Sequence, residues 1–219
     1  MSLDPTVFVV DDDQDARDSV CALVRSMRVK AESFSSAEAF LNAYDQSRSG
    51  CLVTDFRMLG MSGIDLLVRL KQAGHRLPVI IISGYVNVSS AVRAMKKGAT
   101  NVLTKPYEQQ DLWDTISTAL HQDATIRADQ ASRKSITERF ERLTHNETQV
   151  LDLVTKGTAN KVIARRLDIS VRTVEDRRKK IYGKLSVGSI AALVELVVDH
   201  RRSATDLHGI PSTYAVAID

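Results

Sequence analysis

Residues 7–15 read VFVVDDDQD. Four apolar residues run directly into three adjacent carboxylates, Asp11, Asp12 and Asp13. A short β-branched run bounded by polar residues is the pattern of a strand buried on both faces. Like charges gathered at one strand end repel, and each raises the pKa of its neighbours. A strand that delivers carboxylates to a point in this way needs a counter-charge there.

The same design repeats downstream. Short runs rich in β-branched residues occur at TVFVV, KAESF, GCLVT, PVIII and NVLT. Between them lie stretches with helical spacing: DARDSVCALVRSM, SAEAFLNAYDQ, GIDLLVRLKQAG and VSSAVRAMKKGA. Strands alternating with helices predict a five-stranded parallel sheet covered on both faces. Gly74 and Gly98 stand where helices should stop. In such a sheet, ligands bind beyond the carboxyl ends of the strands, where the strand order reverses. The residues at those ends are Asp11 and Asp12 after the first strand, Asp55 after the third, Ser83 after the fourth and Lys105 after the fifth. Oxygen ligands of this kind suit a hard cation. An Asp at a strand end also caps helices, and that role falls to Asp15 or Asp13. Tyr85, Tyr107 and Trp113 read as packing or surface aromatics.

Bulk properties narrow the class. The chain of 219 residues is 43% hydrophobic and 26% charged, enough apolar material for a core and no sign of global disorder. No run approaches ~18 apolar residues, so no membrane partner is expected. The N-terminus MSLDPTVF lacks the basic-then-apolar pattern of an export signal. Cys21 and Cys51 lie in apolar segments and read as core residues in a reducing, cytoplasmic setting. A net charge of +3 decides nothing alone; its distribution does.

Leu112, Ile116 and Leu120 share one helical face and close a first domain at residues 1–121. The polar stretch 122–142, without Pro or Gly, reads as a solvated helical linker. Residues 143–202 show no strand pattern. NETQVLDLVTKG is a short amphipathic helix stopped by Gly157, and NKVIARRL is another, with Val162, Ile163 and Leu167 facing inward. After the turn DIS, Ser170 is a natural N-cap for VRTVEDRRKKIYGKL. Two short helices around a tight turn form a helix-turn-helix. Arg172, Arg177, Arg178, Lys179 and Lys180 supply cations for DNA phosphates and guanine edges. The tail 203–219 is expected to be poorly ordered.

VVDDD, VTDFRMLGMSG, IIISG and VLTKP resemble the receiver domain of bacterial two-component response regulators. The resemblance spans roughly residues 6–121 and implies an α/β flavodoxin-like fold. It further implies that Asp55 is the phosphoacceptor. Asp12 and Asp55 would ligate Mg2+ directly, Asp11 would hold it through water, and the backbone carbonyl of Arg57 would complete the protein's share. Lys105 and Ser83 would meet the phosphoryl group, and Lys105–Pro106 would be cis. Two positions depart from the family. Leu59 stands where Pro is usual, which frees the loop. Val102 stands where an aromatic often swings inward, which moves the expected relay to Ser83 and Tyr85.

LTHNETQVLDLVTKGTANKVIARRLDISVRTVEDRRKKIYGKL resembles the LuxR-type DNA-binding domain. The whole chain then looks like a FixJ/NarL-class regulator: a receiver followed by an all-α helix-turn-helix domain. By that resemblance, Arg172, Thr173, Glu175, Asp176, Arg177, Arg178 and Lys179 face DNA, and the helix SIAALVELVVDH pairs two DNA-binding domains. The implied partners are a sensor histidine kinase, double-stranded DNA, a second copy of the chain after phosphorylation, and RNA polymerase. Such a chain is no enzyme beyond its own phosphoryl transfer and hydrolysis. A regulator whose receiver serves protein contacts without phosphorylation is the alternative. A HAD-type phosphotransferase would share Mg2+ and a phospho-Asp, but there is no room for a substrate cap and the basic helix would have no purpose.

Overall fold

The structure, a computed structural model, describes residues 4–84 and 88–206. The chain divides into two compact units, with the boundary between Ala128 and Asp129. The first contains β1 (Thr6–Val10), α1 (Gln14–Ser26), β2 (Lys30–Phe34), α2 (Ala37–Ala43), β3 (Gly50–Asp55), α3 (Gly63–Gln72), β4 (Val79–Ser83), α4 (Val88–Lys96), β5 (Asn101–Thr104) and the start of α5 (Gln109–Glu141). All strand pairings are parallel, in the order β2-β1-β3-β4-β5. This is the flavodoxin-like order, and its reversal lies between β1 and β3. The role expected of Tyr85 falls outside the described residues.

Period-two alternation divides the strands between two cores. Phe8, Leu52 and Ile81 pack with Phe40, Leu66, Leu67 and Leu70 of α2 and α3. Val7, Val9, Cys51, Val53, Ile80 and Ile82 face the other way, onto Val20 and Val24 of α1 and Leu112, Ile116 and Ala119 of α5. β1, β3 and β4 are buried almost throughout, which is why their sequences are continuous apolar runs. Burying each large side chain contributes about 1.5–3 kcal/mol, more than the ~1 kcal/mol of a helix cap, so the sheet faces dominate stability. Both cysteines are buried and unpaired, as the sequence suggests, and burial pushes the Cys51 thiol pKa up.

The first unit extends past residue 121. Helix α5 continues without a break, and its polar residues there are not all solvated. Asp123 is only 3% exposed. It accepts a hydrogen bond from the Gly50 N–H at 2.9 Å and pairs with Arg127 Nε at 2.8 Å. Arg127 donates in turn to the backbone carbonyls of Gln46, Ser47 and Arg48. Gly50, at φ +146°, has no room for a Cβ, which would lie 1.8 Å from the Thr6 carbonyl oxygen. A polar helical segment is thus bolted onto the loop that enters β3.

The second unit contains α6 (His145–Val154), α7 (Asn160–Arg166), α8 (Val171–Leu185) and α9 (Ile190–Asp206). Val150, Ile163, Val174, Ile181, Leu185 and Leu193 form its centre. Ile163 and Ala164 face this core, whereas Val162, expected to face inward, is 53% exposed. Ile163, Ala164 and Leu167 share one helical face against this core, and Val162 lies on the opposite side of α7. Helix α9 reaches Asp206, past the expected boundary at 202, and residues 207–219 lie outside the described set.

Thr144 and Glu147 close a reciprocal capping box on α6, and Lys184 Nζ lies 2.6 Å from Glu147 Oε2. Burial opposes the charge on Glu147, but the hydrogen bonds from Lys184 and Thr144 outweigh it and hold its pKa below the usual value of 4.5. A carboxylate lowered in the folded state stabilises above its unfolded pKa and loses that contribution as pH falls towards the folded one. Denaturant unfolding should therefore show Glu147→Gln clearly weaker than wild type at pH 7. The difference should shrink below about pH 4.5; a difference independent of pH would exclude the ionised pair.

Candidate functional site

The acidic edge is built from four strand ends and the β3–α3 loop. The chain leaves β1 at Asp11 and turns into α1, which Asp13, not Asp15, caps by accepting from the Asp15 and Ala16 N–H groups. Arg17 donates to the Asp11 carbonyl oxygen at 2.7 Å and pins this turn. Asp55 ends β3, and the Phe56 N–H still pairs with the Ile82 carbonyl of β4 at 2.7 Å. The β3–α3 loop then folds back. Gly63 is required here because a Cβ would lie 2.2 Å from the Asp55 carbonyl oxygen. Ser83 ends β4, 3% exposed, and the Lys105–Pro106 bond after β5 is cis, as the resemblance implies.

Lys105 is the centre of the arrangement. Its Nζ lies 2.8 Å from Asp55 Oδ1 and 3.3 Å from Asp11 Oδ2. The remaining Asp11 oxygen accepts from the Asp13 N–H at 3.0 Å, and Asp55 Oδ2 accepts from the Arg57 N–H at 2.7 Å. Asp12 turns aside: its Oδ2 accepts from the Leu59 N–H at 3.0 Å, and its Oδ1 accepts from no described residue. Burial raises the Asp11 pKa, and the neighbouring Asp55 charge adds to this; the Asp13 N–H and Lys105 offset part of it. Burial works against the charge on Lys105, but Asp55 and Asp11 outweigh it, so Lys105 is held cationic with a raised pKa.

The sequence-predicted residues therefore meet at one edge, but not as a finished metal cage. Among the described residues, no three acidic, Cys or His side chains converge on one point. Lys105 stands between Asp11 and Asp55, and Asp12 is held by the loop. The donor chemistry is still that of a hard cation, since every ligand on offer is oxygen. Mg2+ keeps several of its waters and needs only one or two direct carboxylate contacts, so the set fits it.

Helix α8 carries the second candidate surface. Arg172, Glu175, Asp176, Lys179 and Lys180 are exposed, while Thr173 and Arg177 are half-buried. The Ser170 hydroxyl accepts from the Thr173 N–H at 3.0 Å and starts the helix, as the sequence indicates. Arg178 differs from the rest. It donates to Asn160 Oδ1 at 2.7 Å and lies against the Tyr182 ring. Helical spacing explains this: 174, 178, 181 and 185 share one stripe, and Val174, Ile181 and Leu185 are all buried. Arg178 thus fastens α8 to α7, whereas Arg172, Lys179 and Lys180 are exposed. On α9, Ile190, Val194 and Val198 form an exposed apolar stripe at four-residue spacing.

Residues 7–117 match the family described as the response regulator receiver domain, and residues 141–197 the bacterial regulatory proteins of the luxR family. The response regulator protein TodT of Pseudomonas putida is 39% identical over 190 residues, 87% of this chain and 84% of TodT. The transcriptional regulatory protein FixJ of Bradyrhizobium diazoefficiens is 38% identical over 192 residues, 88% of this chain and 94% of FixJ. The solved structure of the response regulator StyR covers 90% of this chain and 99% of its own at 41% identity, with a TM-score of 0.85. Full-length FixJ from B. japonicum covers 92% and 99% at 35% identity, with a TM-score of 0.55. With the sheet order, the acidic edge and the helix-turn-helix in place, the chain belongs to the two-component response regulators that join a receiver domain to a LuxR-type DNA-binding domain.

Proposed function

We propose that Asp55 accepts a phosphoryl group from a sensor histidine kinase, and that the phosphorylated chain pairs with a second copy and binds operator DNA through α8. The observation that carries this is Lys105 bridging Asp55 and Asp11 at the sheet's reversal point. An Asp55 oxygen attacks phosphorus while the bond from phosphorus to the donor's nitrogen breaks, leaving an acyl phosphate. Lys105, already 2.8 Å from Asp55, follows the transferred oxygens and balances their charge. The Arg57 N–H fixes the other Asp55 oxygen, so the carboxylate presents one orientation. Asp12, Asp55 and the Arg57 carbonyl would hold Mg2+, with Asp11 reaching it through water, and the cation would supply charge neutralisation. Ser83, on the adjoining strand end, contacts the phosphoryl group and passes the change to α4 and β5.

On DNA, the exposed residues Arg172, Glu175, Asp176 and Lys179 read the major groove, with Thr173 and Arg177 at its margin. Arg178 acts by holding the helix in place, in distinction from a direct phosphate contact. The exposed stripe Ile190, Val194 and Val198 joins two such domains over half-sites one turn apart. The chain works in the cytoplasm, where RNA polymerase is its further partner. Its own phosphoryl transfer and hydrolysis are its only chemistry.

Selection of bound DNA fragments, followed by salt-controlled binding and sedimentation, tests this. Acetyl phosphate with Mg2+ should tighten binding to the selected fragment about 5- to 150-fold, the usual span of an allosteric coupling, and shift monomer towards dimer. Equal affinity and equal mass in both states would favour the phosphorylation-independent alternative.

A further inference from the structure

Leu59 is 83% exposed and stands where the family usually has proline. A free loop is the expectation from its sequence, yet the loop is fixed at several points. It begins at the Phe56 N–H bond to Ile82 and returns where the Gly63 N–H donates to the Phe56 carbonyl at 3.3 Å. Between these, successive backbone donors engage two different carboxylates: Arg57 N–H holds Asp55 and Leu59 N–H holds Asp12 at 3.0 Å. Proline has no N–H, so the second of these bonds exists only because residue 59 is not proline.

We propose that Leu59, through its backbone N–H, is a positioning residue for the cation site. It acts on Asp12, an exposed side chain that would otherwise sample several rotamers. Fixing Oδ2 leaves Oδ1 free of described donors and ready to ligate. Ordering Asp12 before the cation arrives removes part of the entropic cost of binding. The donor also draws some charge from the carboxylate, which opposes the gain. Only one oxygen is engaged, however, and a charge-assisted bond orients both, so ordering outweighs withdrawal. The Leu59 side chain has no part in this. The inference rests on the Mg2+ reading of the acidic edge.

The test is a Mg2+ titration of the full chain, without phosphoryl donor, followed through amide proton–nitrogen resonances. Leu59→Ala keeps the N–H and should bind Mg2+ as wild type does. Leu59→Pro deletes it and should bind about three- to tenfold more weakly, the usual net worth of one hydrogen bond. Equal or tighter binding by Leu59→Pro, or equal weakening by Leu59→Ala, would overturn the proposal. In wild type, the Leu59 amide resonance should shift with Mg2+; its failure to move while others saturate would also overturn it, independently of how Leu59→Pro folds. If no resonance in the wild type responds to Mg2+, the cation reading itself fails, and the inference with it.

Discussion

Asp55→Asn should take up no phosphoryl group from acetyl phosphate, with the rate falling by at least about a thousandfold, as expected when a nucleophile is removed. The substitution is nearly isosteric. The amide has a single oxygen, so it accepts from Lys105 or from the Arg57 N–H but not from both, and one of these donors turns to water. What disappears is the anionic nucleophile, because a neutral amide does not attack phosphorus. Lys105→Ala should slow the reaction by about 10²–10³, the cost of losing one stabilising donor. It also leaves Asp11 and Asp55 facing each other unbalanced. Intact-protein mass spectrometry over time reads both variants. An Asp55→Asn chain that gains phosphate as fast as wild type would remove Asp55 from its assigned role. DNA binding by Asp55→Asn should match that of unphosphorylated wild type, which separates loss of chemistry from loss of fold.

The parts legible in the sequence were those where one pattern had one physical meaning. VFVV, GCLVT and PVIII are continuous apolar runs, and only a strand buried on both faces suits them. Asp11, Asp12, Asp55, Ser83 and Lys105 follow directly from those runs, because parallel strands place all their carboxyl ends on one edge. Ser170 was legible as a cap because its hydroxyl is followed by a helical pattern. Where a residue type serves two purposes, the sequence was silent. Arg178 looks like any other cation of α8 until its register with Val174 and Ile181 is counted, and that signal was available. The Leu59 N–H carries no sequence signal except the missing proline. Asp13 and Asp15 are both good caps, and only backbone geometry separates them. Arg17 was overlooked because its work is done on a backbone carbonyl, which no motif records.

The segment after Leu120 was the hardest to read, and it carries the largest expected effect on stability. HQDATIRADQ is polar and reads as solvated, yet Asp123 is buried and Arg127 closes a loop far away in sequence. Asp123→Ala would leave the Gly50 N–H without an acceptor and Arg127 without its carboxylate. Breaking a buried ion pair on one side costs about 3–5 kcal/mol. Arg127 is partly exposed and keeps its bonds to three carbonyls, so the low end, about 3 kcal/mol, applies here. That corresponds to a fall of roughly 10 °C in the melting temperature of a unit this size. Asp123→Asn keeps an acceptor for Gly50 and should lose only about 1 kcal/mol. Trp113 is the only tryptophan and packs in the first unit, so its fluorescence in a denaturant titration reports this unit alone. Asp123→Ala together with Arg127→Ala should cost less than the sum of the two single changes, because each alone strands a charge that the double variant removes. Strict additivity, or an Asp123→Ala midpoint equal to wild type, would mean that α5 is held by Leu112, Ile116 and Ala119 alone and that the polar clamp merely decorates it.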